Sequence, residues 1–145
     1  MSVAEAALGL SFFLTTLRAD SVLVGLSPGG IRVGAMPVGS TYPGTVIGFQ
    51  SGTDVIYVNA RRSSVDALYQ VKAVGQLDDP QSVVDLASQI DIDLGGDQGL
   101  KNVFIPNGYI GSCHRESPLL LIDVDKSGAQ FMHLGGLYRV RIQQR

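Results

Sequence analysis

The 145-residue chain has no tryptophan, one cysteine and two histidines. The single cysteine, Cys113, excludes an intramolecular disulfide framework and a multi-cysteine zinc site, and it suits a reducing compartment. Without tryptophan, a lectin-like or other ligand-binding module lacks its commonest stacking platform. Charge is also sparse, at 17% of residues against 45% apolar, which excludes a disordered chain. Thirteen acidic residues against eleven basic ones give a formal charge of −2, so no global basic field exists to draw in nucleic acid. Long hydrophobic runs are missing too. Leu119 to Ile122 falls far short of the roughly 20 residues that span a bilayer. Phe12-Phe13-Leu14 follows Glu5 rather than a basic region, which argues against a signal peptide. The expectation is a soluble cytoplasmic chain with no targeting segment, folded as one domain over residues 1–145.

What is present is patterned. Ser2-Val3-Ala4-Glu5 has the form of a capping box, and Ala6, Leu10, Phe13, Leu14 and Leu17 follow at helical spacing. Gly9 costs this helix about 1 kcal/mol relative to alanine, so packing must compensate. Asp20 is placed to cap a second short turn over 21–26, which stops at Ser27-Pro28-Gly29-Gly30. Strands are predicted over 31–36 and 45–50, a turn over 51–54, and a returning strand over 55–59. Arg61-Arg62-Ser63-Ser64 reads as a polar loop. A longer strand over 67–76 puts Tyr69, Val71 and Ala73 on one face. Asp79-Pro80 starts a helix whose apolar stripe is Val83, Ala87, Ile90 and Leu94, ended by Gly95-Gly96. The irregular stretch that follows allows strands around 101–105 and 109–116. Leu120 to Val124 and Tyr138 to Ile142 alternate across a polar turn at Lys126-Ser127-Gly128, which predicts an antiparallel pair with one face buried. The fold class is therefore α+β: a mostly antiparallel sheet with two main helices packed on one face.

The chemistry-bearing residues are few. Cys113 and His114 are neighbours on a strand and point to opposite faces, so one site does not readily use both, and His133 lies 19 residues further on. Neither Ser27-Pro28-Gly29-Gly30 nor Gly95-Gly96-Asp97 has phosphate-loop spacing. Asp78, Asp79, Asp85, Asp91, Asp93 and Asp97 share one stretch that contains no lysine or arginine. That stretch is either the wet side of a helix or an acidic surface for a basic partner or for the bore of a ring. Calcium fails, because Asp91, Asp93 and Asp97 lack EF-hand spacing. Arg61-Arg62 and the Arg139, Arg141 and Arg145 series are either solvated or interface anchors that meet a neighbour's acidic segment. No catalytic, metal-binding or cofactor-binding residue is predicted.

Several segments resemble the tail-terminator (tail-completion, tail-to-head joining) proteins of long-tailed bacteriophages. Leu17-Arg18-Ala19-Asp20, Leu23 to Leu26 and Gly29-Gly30-Ile31 resemble that family's first helix and its glycine exit. Pro37 and Thr41-Tyr42-Pro43 resemble its tyrosine–proline step into the sheet. Leu68-Tyr69-Gln70-Val71-Lys72-Ala73-Val74 resembles its central strand, and Leu137-Tyr138-Arg139-Val140-Arg141-Ile142 its last. Tyr42-Pro43-Gly44-Thr45 departs from the more apolar continuation of the family, and residues 59–66 and 95–116 align with none of its motifs.

The resemblance implies a subunit of a homo-oligomeric, hexameric ring at the head-proximal end of the virion tail, assembled in the host cytoplasm. Its partners would be itself, the tail tube protein and the head–tail connector protein. DNA would pass through without sequence-specific binding, and there would be no membrane, cofactor or catalysis. Arg61, Arg62, Asp91, Asp93, Asp97, Arg139 and Arg141 are the expected interface residues. The alternatives are a head-completion or connector adaptor, a small hydrolase using Cys113, His114 and Asp125, and a ligand-binding module.

Overall fold

The computed structural model describes residues 4–56 and 62–144. Among them are three α-helices: α1 (Ala4–Arg18), α2 (Ser21–Leu26) and α3 (Pro80–Asp93). Six strands accompany them: β1 (Ile31–Val33), β2 (Gly44–Ile56), β3 (Arg62–Gln76), β4 (Leu100–Ile105), β5 (Gly108–Val124) and β6 (Gln130–Gln144). The strands form one sheet in the order β1-β2-β3-β6-β5-β4. Only β1–β2 is parallel; the other four pairings are antiparallel. The α+β class read from the sequence is the class observed, with α1 and α3 on one face of the sheet.

That face is fixed by alternation. Ala67, Tyr69, Val71 and Ala73 of β3 stand beside Val140, Tyr138, Gly136 and Leu134 of β6. Phe12, Phe13 and Leu17 of α1 and Val83, Leu86 and Ile90 of α3 close over them, all buried. The Phe13 ring meets Tyr69 edge-on with centroids 5.1 Å apart, and Tyr138 at 6.3 Å. Each fully buried side chain of this kind contributes about 1.5–3 kcal/mol.

Gly9 finds its compensation here. A Cβ at Gly9 would lie 2.0 Å from the Tyr69 hydroxyl, and that hydroxyl donates to the Ala6 carbonyl at 2.8 Å. Gly75 likewise lets α3 approach, since a Cβ there would meet Val83 at 2.4 Å. Arg18 ties α1 down by donating to the Ile31 carbonyl at 3.2 Å. Asp20 caps α2 by accepting from Val22 N–H, whereas the Asp79 side chain makes no cap hydrogen bond and leaves the start of α3 to Pro80.

Several sequence expectations are corrected. No turn interrupts 51–54: β2 continues to Ile56, with Ser51, Gly52 and Thr53 paired to Leu68, Ala67 and Asp66 after a bulge at Phe49/Ser51. Turn-type residues are tolerated there because pairing to β3 outweighs local preference. Val55 and Ile56 thus end β2 rather than start a new strand, and residues 57–59 lie outside the described residues. Arg62, Ser63 and Ser64 belong to β3, not to a loop, while Arg61, like Ser2 and Val3 of the capping box, lies outside the described residues. The first strand stops at Val33 rather than continuing to residue 36.

The two segments 109–116 and 120–124 are one strand, β5, carried through Pro118. Its distal end does not bury a face. Leu120, Ile122 and Val124 are 64%, 54% and 54% exposed on the helix side, and Leu121 is 50% exposed on the other. The helices pack chiefly on β2, β3 and β6, and among the described residues nothing covers the end of the β5–β6 hairpin.

Candidate functional site

Alternation along β6 sends Arg139 and Arg141 to the sheet face away from the helices, as the sequence pattern predicts. Both are held within the chain. Arg139 grips Glu116 with two N–H···O bonds of 2.9 and 3.0 Å. Arg141 Nη2 donates to Asp66 at 3.2 Å. The Arg139 contact holds the Glu116 carboxyl below its ordinary range. Both pairs are open to solvent, where screening leaves ion pairs little weight. Arg62 lies on β3 with its backbone paired to Ile56.

The acidic residues lie elsewhere, around the C-terminal end of α3. Asp91 accepts the Tyr138 hydroxyl at 2.9 Å, with the Arg115 guanidinium 3.9 Å away. Asp93 faces Asp20 across Gln89, whose amide donates to Asp20 at 2.8 Å and to Asp93 at 3.2 Å. Burial, then the hydrogen bond and charge of Asp20, push the Asp93 carboxyl up to about 6. Asp20 is lowered by the same contact. Asp97 is the middle residue of a short 3-10 turn (Gly96–Gln98) and is exposed. Among the described residues, Asp91 and Asp93 thus lie on the helix side of the sheet, and Arg139 and Arg141 on the other.

The residues of the hydrolase alternative are not brought together. Cys113 is buried under the helices, and burial pushes its thiol up to about 12. His114 is exposed on the other face. Asp125 sits beyond the far end of β5, where its carboxylate accepts from Ser127 and Ala129 in the hairpin turn. Among the described residues, no group of three or more His, Cys, Asp or Glu side chains could hold a metal ion. No helix among them is long and apolar enough to cross a membrane.

Two features have no forecast in the sequence pattern. The first is a cleft of about 440 Å³ on the helix-free face, where residues 34–42 fold over Val46, Lys72, Asp123, Phe131 and His133. Burial lowers both Lys72 and His133; the charge of Asp123 opposes each shift. The Tyr42 and Phe131 rings line it in tilted contact, with centroids 5.1 Å apart. The second is the exposed apolar end of β5. Its run Leu119-Leu120-Leu121-Ile122 is visible in the sequence, but that the helices stop short of it is not.

These features define an α+β domain with one sheet face covered by helices, charged side chains on the other, and an exposed apolar hairpin end. No family profile matches the chain, and no curated protein matches it. Among solved structures, the fold is similar to that of a chain described as "Virion of native gene transfer agent (GTA) particle", with a TM-score of 0.57 and 16% identity. The likeness covers 90% of this chain and 91% of that one, so the two share a fold over nearly their full lengths.

Proposed function

We propose that this chain is a structural protein of a phage-like virion. It caps the head-proximal end of a tail tube, stops tube growth and joins the tail to the head connector, without bond-making chemistry. The observation that carries the reading is the near-full-length fold likeness to a chain from a gene transfer agent virion. The sequence resemblance to tail terminators agrees with it, and the exposed end of β5 gives such a subunit something to dock with.

In this reading the subunits close head-to-tail into a hexameric ring. Asp91, Asp93 and Asp97 meet Arg139 and Arg141 of the next subunit, with Arg61 and Arg62, whose side chains lie outside the described residues, as further candidates. The purified protein is expected to form rings in concentrated solution or on contact with tail tubes. Pull-down separates the competing adaptor role: capture of tube protein supports a terminator, and capture of connector protein alone supports an adaptor. Retention of assembly by Cys113→Ser would remove most of the appeal of the hydrolase alternative.

A further inference from the structure

Among the described residues, the open stretches of edge on β2 and β4 are protected. β2 is shielded by β1 over Thr45–Ile47 and then kinked by the bulge at Phe49/Ser51. β4 is short, carries Lys101, and is broken by Asn102 at φ 56. Bulges, lysines and short strands are the usual means of preventing edge-to-edge pairing. β5 beyond Cys113 is different. β4 pairs only with Gly108–Cys113, so among the described residues no strand lies beside the outer edge from His114 to Val124.

The groups this edge presents follow from the ladder. The Gln130 carbonyl accepts from Leu77 N–H, so it points away from β5. Gln130 pairs with Val124, and in an antiparallel ladder such pairs alternate with hydrogen-bonded ones. The N–H and C=O groups of Leu120, Ile122 and Val124 therefore point outward, together with the Pro118 carbonyl. Pro118 has no N–H to offer, and Val124 N–H is already taken by the Asp123 carboxylate at 2.9 Å. Two free donors remain, on Leu120 and Ile122, flanked by exposed apolar side chains on both faces.

We propose that this edge pairs with the same edge of a second copy, antiparallel about a two-fold axis at Leu121. Leu120 then stands opposite Ile122 of the second copy, so each strand's free donors meet carbonyl acceptors. Pro118 stands opposite Val124, and Asp123 opposite Leu119, so no carboxylate faces a carboxylate. Shifting the register by two residues keeps the free donors paired but changes the side-chain neighbours: one way it sets Glu116 against Val124, the other way Leu119 against Asp125 and Pro118 against Lys126. The β2 edge is a poorer mate, because its bulge is followed by Ser51, Gly52 and Thr53. The contact is closed and isologous, and it is distinct from the head-to-tail contact of a ring.

Cysteine cross-linking tests this. Leu121 faces itself in a non-hydrogen-bonded pair with Cα atoms about 4.5 Å apart, within disulfide reach. Leu121→Cys is expected to give a covalent dimer under mild oxidation, while wild type and Leu119→Cys do not. Ile122→Lys is expected to abolish the dimer in sedimentation while leaving the circular dichroism spectrum, and the unfolding midpoint of dilute monomeric protein, unchanged. Equal cross-linking of Leu119→Cys and Leu121→Cys, or none by Leu121→Cys, would overturn the pairing, as would a dimer that survives Ile122→Lys. Failure of the protein to cap tubes would count against the proposed function and leave this contact standing.

Discussion

Two carboxylates, Asp20 and Asp93, share one glutamine between α2 and α3. For Asp93, whose folded value is raised to about 6, the sign is that of a group preferring its proton in the fold. Its contribution is full below about pH 4, the unfolded value, and is lost as pH rises through about 6. Asp20, being lowered, runs the opposite way and gives up its contribution only as pH falls. Asp93→Asn keeps the hydrogen bond from Gln89 and removes the second charge. It is expected to stabilise the fold near neutral pH by about 1 kcal/mol or less, given solvent screening. The gain should vanish below about pH 4, as read from denaturant midpoints across pH.

At Gly9, the close approach of Tyr69 leads to a second prediction. Gly9→Ala raises helix propensity by about 1 kcal/mol, yet it must displace the phenol that donates to Ala6. The net effect expected is a loss of about 1–3 kcal/mol. Tyr69→Phe should cost about 1 kcal/mol through the lost hydrogen bond. In the double variant Gly9→Ala/Tyr69→Phe, part of the Gly9→Ala loss should be recovered. Urea titration of the set reads the coupling.

Among the elements, those with strong local signals are legible in the sequence. α3 follows from Asp79-Pro80 and the Val83, Ile90 and Leu94 stripe. β3 and β6 follow from alternation around Tyr69 and Tyr138, because each buries one face. The failures share one physical cause, which is that distant segments override local preference. Ser51 to Asp54 have turn residues but are held in β2 by the ladder to β3. β5 runs through Pro118, whose missing N–H faces the open edge, where a proline is tolerated. The exposed end of β5 has the apolar composition of a core strand, and only the positions of the helices reveal that nothing among the described residues covers it. The residues expected at an interface are legible as charge types. Their pairing with Glu116, Asp66, Tyr138 and Asp20 is not, since those partners come from distant segments.

Hydrogen exchange reads the β5 edge amide by amide. Amides of Leu119, Leu121 and Asp123 point into the ladder and should be protected. Those of Leu120 and Ile122 point outward and should exchange quickly in dilute protein, then slow as concentration rises. Uniform protection along 119–123 in dilute protein would rule out this orientation of the strand.

For the whole molecule, Asp91, Asp93 and Asp97 lie in and just after the C-terminal part of α3, and Arg139 and Arg141 lie on the strand face away from the helices, each paired with a carboxylate. A head-to-tail ring would bring these together between neighbours. Asp97 is exposed, and its place in the short turn after α3 gives it no packing role. Asp97→Arg should therefore change unfolding free energy by no more than about 0.5 kcal/mol. It should nevertheless weaken ring formation, and increasingly so at low salt, where exposed charges are less screened. Analytical ultracentrifugation at two ionic strengths checks both parts, alongside a thermal melt.

Whether the chain works as a tube-capping ring is decided by a solution mass taken beside electron micrographs of the protein mixed with tail tubes. Closed rings of one stoichiometry, seated on one end of each tube and halting its growth, are expected. Tubes that keep growing with bare ends, in the presence of protein that stays at the mass of one or two subunits, would refute the capping role.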